Sequence, residues 1–135
     1  MKKKLIMFIS VAGLVIMVLA MIFQSHESAG NPTAKEIVSE NPDADILKLD
    51  GLIYTNVSDR EWIKDNDYTK NKAIGEVKKQ TTNTWWYRNL YASKLPKGTK
   101  IYSVNDREYS KGDAPAFIMV EKNDEEAIYQ SLVEG

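Results

Sequence analysis

The residues equipped for chemistry are few in this chain, and where they sit limits what they can do. There is one histidine, His26, and no cysteine in 135 residues. A hydrolytic nucleophile needs a neighbouring base, ordinarily histidine. His26 stands just behind a long apolar run, away from every segment patterned as a strand, so no folded Ser-His-Asp arrangement is expected. The same scarcity argues against zinc sites of the common His/Cys kind. Carboxylates are plentiful, but Glu61, Asp65, Asp67, Asp106, Glu108, Asp124 and Glu125 lie mostly among turn-forming residues. Paired-carboxylate chemistry needs positioned groups with shifted pKa values, whereas a carboxylate in a turn is by default solvated surface charge. The expectation is a non-enzyme without catalytic residues, cofactor or metal.

Two motifs need weighing against that expectation. Asp65-Asn66-Asp67 opens like a calcium loop, with Asp65, Asp67, Thr69 and Asn71 at its first four ligand positions and Glu76 at its twelfth. However, Lys70 occupies the place where the loop needs glycine, and the chain from Ile74 reads as a strand, so a plain acidic loop is expected. The second motif is Trp85-Trp86-Tyr87 with Tyr91 following, the best candidate for contact with a ligand or partner. Flat rings stack on sugar faces and anchor protein interfaces. Adjacent tryptophans on a strand would face opposite sides. Each ring offers roughly 150–250 Å² that a small domain needs for its core, so core packing is the expectation and surface contact the alternative. Trp62, beside Ile63, is expected inside.

The elements that would position these residues begin after a leading segment. Lys2, Lys3 and Lys4 precede an uncharged run from Leu5 to Phe23. As a helix that run is about 28 Å long, close to the ~30 Å hydrocarbon core of a bilayer. Lysines favour the cytoplasmic side, which predicts a single-pass anchor with the C-terminal portion outside. A cleavable signal has a shorter apolar region of about 7–15 residues. Ser28-Ala29-Gly30 offers a small-residue cut site well past Phe23, so secretion after cleavage is the alternative. The predicted organisation is an anchor over 1–24, a tether over 25–44 and an extracytoplasmic domain over 45–135.

Charge and cysteine use narrow the class further. The chain has 18 basic and 19 acidic residues; three lysines and no acid precede Gln24, which leaves 15 against 19, a net of −4. That balance argues against nucleic acid, which requires a basic face to displace counterions. Small secreted eukaryotic domains usually carry disulfides, so a cysteine-free outer domain fits a Gram-positive surface better. The sequon Asn56-Val57-Ser58 is then incidental.

Within the domain, Ile46–Val57 is apolar and broken by Asp50-Gly51, as a hairpin turn or a bulge. Ser58 or Asp59 is positioned to cap a short helix through Lys64. A polar loop follows over 65–72, then a strand over 74–82. Lys94-Leu95-Pro96-Lys97-Gly98-Thr99 is turn chemistry and delivers a strand at Lys100–Val104. Beyond the loop 105–113, strands are predicted over 116–121 and 127–133 about an Asn123-Asp124 turn. In the tether, Thr33 and Glu36 have the spacing of a capping box for a short helix through Glu40, against the expected solvated spacer. Strands outnumber helices, which predicts an α+β domain with a mostly antiparallel sheet and one or two short helices.

The blocks Gly51-Leu52-Ile53-Tyr54, Trp62, Ile74-Gly75-Glu76-Val77 and Lys94-Leu95-Pro96-Lys97-Gly98-Thr99-Lys100-Ile101-Tyr102 follow one another in this order. Together they resemble a group of small surface proteins of Bacillus-like bacteria, anchored or lipidated at the N-terminus. The absence of cysteine excludes a lipidated cysteine after the apolar run in this chain. The resemblance covers about 45–104 and, more loosely, the final strands, leaves out Trp85-Trp86-Tyr87 and implies no activity or site residue. The functional expectation is a non-enzymatic protein-interaction domain of the cell envelope, with an unknown envelope protein as partner. The alternative is a module that binds cell-wall glycan through Trp85 or Trp86.

Overall fold

The computed structural model describes residues 30–134. The expected membrane-spanning run, 5–23, lies outside the described residues; among those described, no helix is long and apolar enough to cross a membrane. One compact unit spans Asn31–Gly135. Its elements, in chain order, are α1 (Ala34–Glu40), β1 (Ile46–Leu49), β2 (Leu52–Asn56), α2 (Glu61–Lys64), β3 (Lys70–Glu76), β4 (Lys79–Gln80), β5 (Tyr91–Ala92), β6 (Lys100–Val104), β7 (Phe117–Lys122) and β8 (Glu125–Ser131).

Turn chemistry sets the two hairpins. Asp50 and Gly51 take φ of 50° and 81° between β1 and β2, and Asn123 and Asp124 take 52° and 62° between β7 and β8. Left-handed φ at both central residues of a two-residue loop matches the right-handed twist of the strands it joins. Asp50 is held there by its carboxylate, which accepts from Tyr109 Oη at 2.7 and 2.8 Å and from the Ala114 amide at 3.0 Å.

The strands form one sheet in the order β3-β6-β7-β8-β2-β1-β5-β4, antiparallel except for β4 against β5. Its two outermost strands are consecutive pieces of a single segment. At Val77 and Lys78 the chain changes partner, donating first to the Thr99 carbonyl and then to the Leu90 carbonyl. The sheet therefore curls into a half-barrel. The predicted strand over 74–82 is thereby displaced: pairing with β6 extends it back to Lys70, and the change of partner ends it at Glu76.

Side-chain alternation divides the core into three parts. Leu47, Leu49, Tyr54, Ile101, Ile118, Val120 and Tyr129 fill the concave interior. On the outer face of β1 and β2, Ile46 and Ile53 pack with Tyr87 beneath Ala34, Ile37 and Val38 of α1. Met119, Val104 and Ile128 face outward elsewhere and are joined by Ile63 of α2.

Two expectations need correction. The compact unit begins at Asn31, not at Asp45, and residues 33–44 are folded chain instead of a solvated spacer. The Thr33 amide donates to Glu36 Oε2 at 2.9 Å and the Glu36 amide to Thr33 Oγ1 at 3.3 Å, completing the capping box. The apolar positions 34, 37 and 38 then share one face, and the outward isoleucines of the hairpin give that face something to cover. The second correction concerns α2, whose N-cap is Arg60 with no side-chain hydrogen bond. Ser58 is not free to cap, because its Oγ accepts from the Ile128 amide at 2.8 Å and ties the chain to β8.

Candidate functional site

The aromatic run lies in a turn and not on a strand, which decides where its rings go. The Asn83 amide donates to Thr81 Oγ1 at 3.0 Å and the Trp85 amide to Asn83 Oδ1 at 3.1 Å. Two successive side-chain turns of this kind bend the backbone before Trp85. Opposite-face alternation therefore does not apply, and both rings lie outside: Trp85 is 77% and Trp86 71% exposed. The expected core packing of these two rings is corrected accordingly.

Tyr87 and Tyr91, named with them as candidate contacts, are supports. Tyr87 is buried with Ile46 and Ile53 and meets Tyr91 edge-on, centroids 6.0 Å apart at 77°. Its hydroxyl is buried without a hydrogen-bond partner among the described residues. Loss of hydration, with the Asp45 charge as a lesser cause, pushes the Tyr87 pKa well above the ordinary tyrosine range. Tyr91 is half-buried, with the Lys79 ammonium 5.9 Å from its ring centroid.

The segment is pinned from β1 and its turn. Lys48 Nζ donates to the Tyr87 carbonyl at 3.0 Å, the Leu90 amide to the Lys48 carbonyl at 2.6 Å, and the Gly51 amide to Asn89 Oδ1 at 2.9 Å. The tryptophans thus project from anchored backbone. Beside Trp85 lies a cleft of about 270 Å³ lined by Asn31, Lys35, Lys48, Thr84 and Tyr87 among others; among the described residues, no carboxylate lines it.

Sequence reasoning missed a second aromatic surface. Trp62, expected in the core, is 46% exposed. A single helical turn separates adjacent residues by about 100°, and Ile63 takes the inward direction. Trp62 rests edge-on against Phe117, centroids 5.9 Å apart, and Tyr68 meets the same ring at 5.6 Å. The neighbouring positions 62 and 63 on so short a helix were the available signal.

The carboxylates Glu61, Asp65, Asp67, Asp106, Glu108, Asp124 and Glu125 are exposed, and of the calcium-like loop Thr69 and Asn71 are committed to structure. Thr69 donates to Asn105 Oδ1 through both its amide and its hydroxyl, and Asn71 Nδ2 donates to the Arg107 carbonyl. Among the described residues, no three His, Cys, Asp or Glu side chains are grouped to hold a metal ion. Asp45 accepts from Tyr129 Oη at 2.7 Å and from Asn56 Nδ2 at 3.0 Å. Burial, aided by the hydrogen bond to Asp50, pushes the Tyr109 hydroxyl up to about 12. A further cleft of about 490 Å³ at Glu76, Lys97 and Gly98 contains, among the described residues, no nucleophile with a base beside it. The exposed, pinned Trp85-Trp86 turn is the candidate site among the described residues. Compared with known proteins, the chain matches no family model, no curated protein and no solved structure.

Proposed function

We propose that this protein is a non-enzymatic binding module of the cell envelope, anchored through Leu5–Phe23 and making contact through the Trp85-Trp86 turn. The observation that carries this reading is the exposure of two adjacent indoles, 77% and 71%, on backbone that neighbouring residues hold in place. At about 25 cal/mol per Å², leaving three quarters of a tryptophan in water forgoes roughly 3–4 kcal/mol per ring. A partner that covers the rings recovers that free energy, and the pinned turn limits the ordering cost of binding.

An envelope protein is the leading partner class, since exposed tryptophans on rigid backbone are typical contact hot spots. Wall glycan is the second, favoured by the Asn31, Thr33 and Thr84 side chains around the Trp85 cleft, which offer hydrogen-bonding groups beside a stacking ring. The test uses the full chain extracted from membranes, with and without Trp85→Ala and Trp86→Ala. It measures retention on purified peptidoglycan and the set of cross-linked companion proteins. Ring-dependent retention identifies glycan, and ring-dependent companions identify protein. Cross-linking and retention that ignore both substitutions refute the site.

A further inference from the structure

We infer that the Trp85-Trp86 turn also has a lipid contact: it seats in the headgroup region of the bilayer that anchors the chain, with the exposed Lys35 facing anionic headgroups and Lys48, whose ammonium holds the Tyr87 carbonyl, adding its charge beside it. This seat presupposes the anchored, contact-making role proposed above and adds a partner to that same turn.

Chain length carries the first part. Gln24 to Gly30, seven residues, separate the apolar run from the compact unit. Fully extended, they span at most roughly 25 Å. Asn31, the first residue of the unit, lines the same cleft as Trp85. The tryptophans therefore lie at the end of the domain where the chain arrives from the anchor. A protein partner or a wall strand must diffuse to this turn, whereas the bilayer surface is kept within reach by covalent connection.

Ring chemistry carries the second part. An indole is a flat apolar body with one N–H donor, and tryptophan concentrates where a membrane meets water because that boundary satisfies both. Both rings are already outside the fold, 77% and 71% exposed, so reaching the interface requires no unfolding. Tyr87 and Leu90, which follow, keep the backbone fixed from behind.

Charge carries the third. The chain after Gln24 has a net charge of −4, yet among the described residues the cleft beside Trp85 is lined by Lys35 and Lys48 and by no carboxylate. The nearest stretch of the C-terminus is Glu134, whose amide donates to Asn31 Oδ1 at 3.1 Å. Arg88, exposed two residues beyond Trp86, adds a cation to the same turn. Glu36, the acid nearest along α1, is engaged with the Thr33 amide. A basic spot on an acidic domain, next to interface-seeking rings, suits a surface of anionic headgroups.

The test reconstitutes the full chain into phosphatidylcholine vesicles, with or without phosphatidylglycerol, containing phospholipids brominated at defined depths. The chain has three tryptophans, so seating Trp85 and Trp86 makes shallow bromines remove up to about two thirds of the indole emission. A Trp62→Phe variant should then lose nearly all of it, and Trp85→Phe with Trp86→Phe should lose little. Quenching should be stronger with phosphatidylglycerol present; equal quenching in the two lipids would overturn the role given to the lysines. Emission typical of indole in water, unquenched at every bromine depth, would overturn the seat itself. If unquenched rings then shift on adding peptidoglycan or a co-purified protein, the lipid contact falls while the binding module stands. If they respond to none of these, both fall.

Discussion

Replacing both exposed tryptophans should leave the fold almost untouched, and the size of that effect follows from their burial. With 77% and 71% of the two residues in water, about a quarter of each is covered. That is roughly 50 Å² per ring, or about 1.2 kcal/mol at 25 cal/mol per Å². Trp85→Ala together with Trp86→Ala should therefore cost no more than about 2.5 kcal/mol, and less if the rings slide over the surface. Tyr87→Ala, one residue on, empties a site beneath α1 and should cost about 3–5 kcal/mol. The assay is urea unfolding of the full chain in detergent micelles, followed by near-ultraviolet circular dichroism and compared at a common slope. A double variant as costly as Tyr87→Ala would mean that the rings are covered in the folded protein. The contact site would then be lost, because its only warrant is exposure.

Other substitutions probe the supports. Thr33→Ala removes one half of the capping box and should lower stability by about 1 kcal/mol, read as a shift in the urea midpoint; no shift would return residues 33–44 to the status of a spacer. Tyr87→Phe deletes a buried hydroxyl that has no partner among the described residues, so it should be neutral or stabilising, in contrast to Tyr87→Ala. Tyr109 provides a pH test. Its folded pKa, about 12, lies above the unfolded value of 10, so its contribution is complete below pH 10 and lost as pH climbs through 12. Tyr109→Phe should therefore remove part of the alkaline loss of stability in that window, and identical alkaline profiles would refute the Asp50–Tyr109 clamp.

What could be read from sequence was what local chemistry decides. Asp50-Gly51, as a hairpin turn or a bulge, and Asn123-Asp124, as a turn, mark breaks between strands because few residues accept the left-handed backbone such loops require. Lys100–Val104 was visible because its alternation matches a strand with one face in the interior. What was missed depends on partners distant in the chain. The capping box of α1 was legible, but the helix forms because Ile46 and Ile53 leave the outer face of a hairpin in need of cover. The parallel pairing of β4 and β5 involves two residues of each strand and has no local signature. For Trp85 and Trp86, ring type points to contact, while the side they occupy is fixed by the side-chain turns of Thr81 and Asn83.

The most direct measurement replaces Trp86 with a photo-reactive phenylalanine analogue in the full chain and irradiates intact cells. The exposed Lys111 serves as a control position. A contact site predicts one dominant adduct at position 86, in lipid, glycan or a single protein, with only scattered products at position 111. Equal, diffuse labelling at both positions would mean that the two indoles face nothing but water.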